Sequence, residues 1–229
     1  MRRIALTIAA FLVCGLLSPA TLPAADPWHA ATSTHSFEDV DHWTAVFDDP
    51  GRDEWQKPAE LVAALGLKPG ARVADLGAGT GYLEGYLSKT VGPEGTVLAI
   101  DTETALVQHL RNRAEKENLR NVTPILASTD DARIPRGSVD LVLILDTFHH
   151  ISDRLTYARD LEAALRPGGR IAIIDWQKRE LPVGPEAPHK LPRGHVLEEM
   201  QQAGYELVEE PDVLPYQYFL IFQQTAGAM

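Results

Sequence analysis

Val73-Ala-Asp-Leu-Gly-Ala-Gly-Thr-Gly81 is the stretch on which the fold turns. Its first half is a short apolar run suited to a buried strand, and its second half is a glycine-spaced loop. Glycines there allow positive φ and let the backbone approach a ligand with no Cβ in the way. A helix opening just after the loop aims its first N–H groups at anything anionic. Outward from this point, strand-like and helical segments alternate. Strands are expected at 72–76, 96–100, 122–127, 139–145 and 170–176. Helices are expected at 58–65, 80–91, 103–118 and 154–165, the last closed by Pro167-Gly168-Gly169 as a C-cap. A helix at 194–203 then precedes two strand-like runs, 205–209 and 216–223. Strands joined through helices imply right-handed crossovers and a parallel sheet covered on both faces. The last two runs have no helix between them and form an antiparallel hairpin at one edge. The expected fold class is α/β, with a doubly wound, mostly parallel sheet.

A ligand in such a sheet sits beyond the carboxyl ends of the strands, where the strand order reverses. Asp101 ends the second strand twenty residues after Gly81, placed to accept two hydroxyl hydrogen bonds from a ribose. Asp75 adds a negative charge beside the loop. The glycines are spaced G-x-G-x-G, with Tyr82 following, whereas a dinucleotide loop reads G-x-G-x-x-G. An acid before the loop would be poor beside a pyrophosphate and suits an ammonium. S-adenosylmethionine (SAM) has an ammonium, a carboxylate and a sulfonium, and no pyrophosphate.

Over roughly residues 58–223 the chain resembles the class I SAM-dependent methyltransferases. The matching stretches are residues 73–83, Val97-Leu-Ala-Ile-Asp101, Ser128-Thr-Asp-Asp-Ala132 with Pro135, Gly137-Ser-Val-Asp-Leu-Val142 and Leu165-Arg-Pro-Gly-Gly-Arg170. The resemblance implies a seven-stranded sheet of order 3-2-1-4-5-7-6 with an antiparallel last strand. It also implies that Asp75 and the backbone of Gly77, Ala78 and Gly79 hold the methionine end of SAM, with Gly81 and Tyr82 completing the loop. Asp101 would bind the ribose with Thr102 alongside, and Asp130 or Asp131 would meet the adenine amino group. The activity implied is methyl transfer to a small-molecule acceptor that the sequence does not name. An exported, non-catalytic module binding SAM or another nucleoside is the alternative. Aminopropyl transfer from decarboxylated SAM would keep the fold, and nothing in the loop argues for it.

Methyl transfer is an in-line displacement, so the protein must position a nucleophile and, where needed, take its proton. Candidates stand at the ends of strands 4 and 5, Asp146-Thr-Phe-His149-His150 and Asp175-Trp176. His149 or His150 is expected as general base, because imidazole titrates near neutral pH. The competing reading has one histidine capping the next helix and the other packing on the loop. Asp146 is expected as a catalytic residue or as part of the cofactor wall. Asp146 and Asp175 end neighbouring strands and could flank a divalent cation, but no third oxygen ligand is evident, and no metal site is assigned. Arg52 and Trp55 are expected in a lid. His189 and His195 flank the last helix and read as surface residues or as part of a cover over the acceptor. Tyr216, Tyr218 and Phe219 alternate as sheet packing.

The chain has 229 residues, one ordinary domain, with 45% hydrophobic and 23% charged residues. Its formal charge of −11 repels phosphate backbones, which argues against nucleic acid and for a small-molecule substrate. Residues 1–25 read differently: Met1-Arg2-Arg3, an apolar run from Ile4 to Leu17, then small residues to Ala25. That is the pattern of a secretory signal peptide, with an uncleaved membrane anchor as the alternative. The expected location is therefore periplasmic or secreted, or membrane-anchored if the segment stays. The single cysteine, Cys14, lies within it in a poor lipoprotein box, so the mature chain would have no thiol chemistry. Residues 26–57 read as an irregular aromatic arm with a helical turn near 37–46, serving as a lid, and residues 58–229 as the SAM-binding domain. Compartments outside the cytoplasm are not expected to hold much SAM, a tension that the export reading carries with it.

Overall fold

Strand and helix alternate through a computed structural model that describes residues 37–225. The segment read as an export signal, 1–25, lies outside the described residues. Seven strands form one sheet: β1 Arg72–Leu76, β2 Thr96–Asp101, β3 Val122–Leu126, β4 Val139–Leu145, β5 Leu165–Trp176, β6 Tyr205–Glu209 and β7 Gln217–Gln224. Their order is β3-β2-β1-β4-β5-β7-β6, as expected. The first five run parallel, and β7 is antiparallel to both β5 and β6. The order reverses between β1 and β4, so the ligand crevice of this topology lies beyond Leu76 and Leu145.

Successive side chains of a strand face opposite ways, and here both faces are apolar. Val142, Ile144, Ile171 and Ile173 pack toward Tyr157, Leu161, Val196 and Met200. These come from α6 (Arg154–Leu161) and α7 (Arg193–Gln202). Val73, Val97, Leu141 and Leu143 pack the other way, toward Leu61, Leu87, Val91 and Leu110. Those belong to α3 (Pro58–Ala64), α4 (Glu84–Val91) and α5 (Thr104–Lys116). α6 and α7 are also tied by a buried ion pair, Arg154 Nε and Nη2 donating to Glu199 at 2.8 and 3.0 Å.

Three expectations need correction. The helix after the glycine loop begins at Glu84, because Gly81 at φ +89° cannot continue a right-handed helix into it. Pro167-Gly168-Gly169 is not a helix cap. α6 ends at Leu161, a 3-10 turn spans Glu162–Ala164, and β5 already starts at Leu165, which pairs with Val139. The register shifts between Val139 and Leu141, so the proline and glycines lie in a bulged strand start. The arm, thirdly, is not irregular from residue 37 onward. It holds α1 (Val40–Phe47), where a turn was expected, and α2 (Arg52–Gln56), which was not. Asp39 caps α1 by accepting from the His42 N–H at 3.1 Å. No helix among the described residues is long and apolar enough to cross a membrane.

Candidate functional site

The loop leaving β1 is shaped by what lies behind it. Gly77 has φ +79°, and a Cβ there would stand 2.1 Å from Thr147 Oγ1. A Cβ on Gly81 would stand 2.9 Å from Leu110. Any larger residue would push the loop off its floor. The Gly77 and Ala78 N–H groups donate to Ile100 O at 2.8 and 2.9 Å, which docks the loop on the end of β2. Asp101 then joins the two elements: Oδ2 accepts from the Gly79 N–H and Oδ1 from the Glu103 N–H, each at 2.9 Å. Burial raises the pKa of Asp101, against the lowering by these N–H donors.

Beneath the loop lie two carboxyls, Asp75 (4% exposed) and Glu84 (2% exposed). They stand close enough for each to perturb the other, and both Glu84 oxygens are buried with no hydrogen-bond partner among the described residues. Two carboxyls buried side by side favour keeping a proton over carrying two charges. Burial pushes Asp75 up to about 7, and burial followed by the neighbouring Asp75 charge raises Glu84 well above the carboxylate range.

A cavity of about 810 Å³ opens from this loop, at the large end of small-molecule sites. Asp75, Gly77, Ala78, Gly79, Tyr82, Asp101 and Thr102 all line it. Ala127, Ser128 and Thr129 carry the wall past the end of β3, while Asp130 and Asp131 are exposed beside it. Those two carboxylates accept from Ser128 Oγ and the Arg133 N–H, each at 2.7 Å. Gly81 supports the loop from behind, against α5.

On the far side the wall is made by Asp146, His149 and His150. Asp146 has φ +51°, a left-handed conformation that costs a non-glycine residue energy and is over-represented at working sites. Its Oδ1 accepts from Gln217 Nε2 at 2.7 Å, and Arg52 Nη2 stands 3.8 Å from Oδ2. Burial, followed by repulsion from Asp175, pushes it up to about 7. His149 is 3% exposed and its Nδ1 meets both Asp175 oxygens, at 2.9 and 3.0 Å. Asp175 is wholly buried and also accepts from the backbone N–H groups of His149 and Trp176. Burial opposes protonation of the His149 ring, but the Asp175 carboxylate and its hydrogen bond, with Asp146 behind them, raise its pKa above the ordinary imidazole value. Asp175, weighed from sequence as a catalytic candidate and as a metal ligand, is thus the partner that orients His149. The described residues contain no group of three or more His, Cys, Asp or Glu arranged to hold a metal ion.

The roof comes from the arm. Phe37, Trp43, Phe47, Arg52 and Trp55 line the cavity, with Trp43 and Phe47 stacked at 5.1 Å. Phe37 meets His150 edge-on at 5.7 Å, and Trp55 lies 5.2 Å from Trp176. The arm is fastened to the floor it covers. Asp48 accepts from Thr80 Oγ1 at 2.9 Å and from Arg113 Nη1 at 2.7 Å, and the Tyr82 hydroxyl donates to Asp53 at 2.6 Å. A second cover, Gly184, Pro185, Glu186 and His189, closes over Trp176. The Lys178 and Lys190 ammonium groups hold it by donating to the carbonyls of Ala187, Lys190 and Arg179. His195 is not in the wall; it stands 3.2 Å from Glu199 on α7. Tyr218 and Phe219 are buried in β7 as expected, and Tyr216 packs near Trp55 instead.

Residues 73–169 match the family model for a methyltransferase domain. The chain is similar to the ubiquinone/menaquinone biosynthesis C-methyltransferase UbiE of Hahella chejuensis, 30% identical over 119 residues that cover 52% of this chain and 48% of that one. It is similar also to a demethylmenaquinone methyltransferase of Lactococcus lactis, 27% identical over 149 residues that cover 65% of this chain and 58% of the other. The chain spans about half the length of these curated relatives. Among solved structures, a SAM-dependent methyltransferase from Aquifex aeolicus superposes with a TM-score of 0.77 at 29% identity, covering 82% of this chain and 98% of that one. SAM is the cofactor of such a domain, and this site fits it. The glycine loop is a cradle that a Cβ would fill, and the carboxyls of Asp75 and Asp101 line the cavity beside it.

Proposed function

We propose that the chain is a SAM-dependent methyltransferase acting on an uncharged, apolar ring compound with an acidic hydroxyl, a quinol being the type. One observation carries this reading: the His149–Asp175 pair stands in a cavity whose wall also presents Phe37, Trp43, Trp55, Trp176 and Ile151. Those aromatic faces favour a flat apolar body beside the imidazole. The names of the two relatives, which act in quinone biosynthesis, agree with that chemistry.

The bound cofactor supplies an electrophilic methyl group on a sulfonium sulfur. The chain supplies the rest. The loop and Asp101 hold the donor, and the aromatic roof excludes water and orients the ring. With its Nδ1–H directed at Asp175, the imidazole is basic at Nε2 and takes the hydroxyl proton. The buried carboxylate steadies the imidazolium that results, which makes Asp175 a positioning residue in the sense of acting through His149. Losing the hydroxyl proton raises electron density on the ring and makes either its oxygen or a ring carbon nucleophilic.

Labelled-methyl transfer from SAM to a panel of quinols and phenols tests the reading. Turnover is expected for apolar members, with His149→Gln lowering kcat by about 10²- to 10⁴-fold. The neutral imidazole is the active form, so the rate rises with pH through the raised pKa of His149. Asp175→Asn removes the charge that raises it, so the acid limb should move to lower pH while kcat falls. Undiminished turnover in His149→Gln would remove the base assignment. SAM binding with no turnover on any acceptor would favour the non-catalytic module. We also propose, from residues 1–25, that the chain is exported; fractionation of the host with an envelope-only signal is the expected result.

A further inference from the structure

Arg52 sits on α2 at the cofactor end of the cavity, its side chain only 12% exposed. A guanidinium has five N–H groups in a planar fork. Three are used: Nε and Nη2 donate to Gln56 Oε1 at 3.3 and 3.2 Å, and Nη1 donates to Phe47 O at 3.0 Å. The ring of Tyr82 lies flat beneath at 4.1 Å. The nearest carboxylate, Asp146, is 3.8 Å away, outside hydrogen-bond reach. One N–H on each Nη nitrogen therefore has no acceptor among the described residues. Burying a cation in this state is costly, and the cost argues for an anionic ligand.

The charges around Arg52 say which anion. Asp146, Asp75 and Asp48 all stand close enough to act on it, and Tyr82 underlies it. Asp75 belongs to the loop wall and Arg52 to the roof, so a carboxyl and a guanidinium face the same end of one cavity. An α-amino acid head group has that pattern in reverse, an ammonium and a carboxylate on one carbon. Resting on the SAM reading of the site, we infer that Arg52 clamps the carboxylate of the donor's methionine end while Asp75 takes the ammonium. The paired N–H groups match a carboxylate in a two-point contact that a lysine cannot reproduce. The clamp makes the arm part of the donor site and gives the site a means of refusing a decarboxylated donor.

Titration calorimetry with S-adenosylhomocysteine and with its decarboxylated analogue, on the full chain, tests this directly. Wild type should bind the carboxylated ligand roughly 10- to 100-fold more tightly. In Arg52→Gln that ratio should fall below about threefold, because affinity for the carboxylated ligand drops while that for the analogue stays. A merely structural arginine would weaken both ligands alike and leave the ratio unchanged, and that result overturns the clamp. Should Arg52→Gln fail to fold, Arg52→Lys decides: a reduced ratio supports the clamp and a wild-type ratio overturns it. Failure of wild type to bind S-adenosylhomocysteine at all, with NAD bound instead, sinks the cofactor reading and the clamp with it.

Discussion

Asp75 and Glu84 show how a single proton can tie a binding site to the stability of the chain around it. The Asp75 carboxyl is pushed up to about 7 in the fold, against an ordinary value of about 4 in an unfolded chain. Between those values the folded chain keeps a proton that the unfolded chain has lost. Stability therefore falls as pH rises through that window, opposite to the usual salt-bridged aspartate. Glu84→Gln replaces one carboxyl by an amide whose N–H can donate to Asp75 at any pH. It should melt above wild type at pH 8 by about 4 °C or more, with the gap closing by pH 5, where the pair is neutral in either protein. A gap of equal size at both pH values, read by thermal unfolding of the ligand-free chain, would show that the two carboxyls do not share a proton.

At the scale of elements, α6 and α7 are held to each other on one face of the sheet by the Arg154–Glu199 pair, whose side chains are 0% and 4% exposed. Glu199→Ala leaves the arginine buried without its carboxylate, at a cost of about 3–5 kcal/mol in urea unfolding. The exposed Arg193–Glu210 pair has equally direct hydrogen bonds, yet Glu210→Ala should cost less than about 1 kcal/mol, because water and salt screen it. Similar losses at the two sites would contradict the burial argument. Element identity itself was largely legible from local pattern, in the apolar runs of β1, β2 and β4 and the glycine loop, whereas the strand order came from the family resemblance. Where reading failed, the cause was long-range. Leu165 is drawn into β5 by pairing with Val139, which no local signal shows. α1 has no buried residue, because its aromatic side faces a cavity and not the core, and its 8 residues are too short a run for a helical period to stand out. The role of Asp175 was hidden for a related reason. Two acids ending neighbouring strands suit a metal as well as a histidine, and only the fold brings His149 onto Asp175, 26 positions further along the chain.

For the molecule as a whole, donor and acceptor share one chamber, and the arm that roofs it is fastened to the donor loop by Asp48 and Asp53. On the proposed function, release of spent donor and product is expected to wait on those bonds. The slow event in each cycle is then escape, not bond-making. A chain preloaded with SAM and mixed with acceptor should give a rapid burst approaching one product per chain, followed by a slower steady rate. Asp48→Ala, which lets go of Thr80 and Arg113, should speed release of S-adenosylhomocysteine roughly fivefold and shrink the burst. A linear time course from the first turnover in wild type would show that the arm does not pace the cycle. If it does, residence time becomes a property with consequences of its own. A chain that crosses into a compartment poor in SAM keeps its first charge of donor for as long as the roof stays latched, and delivers it once.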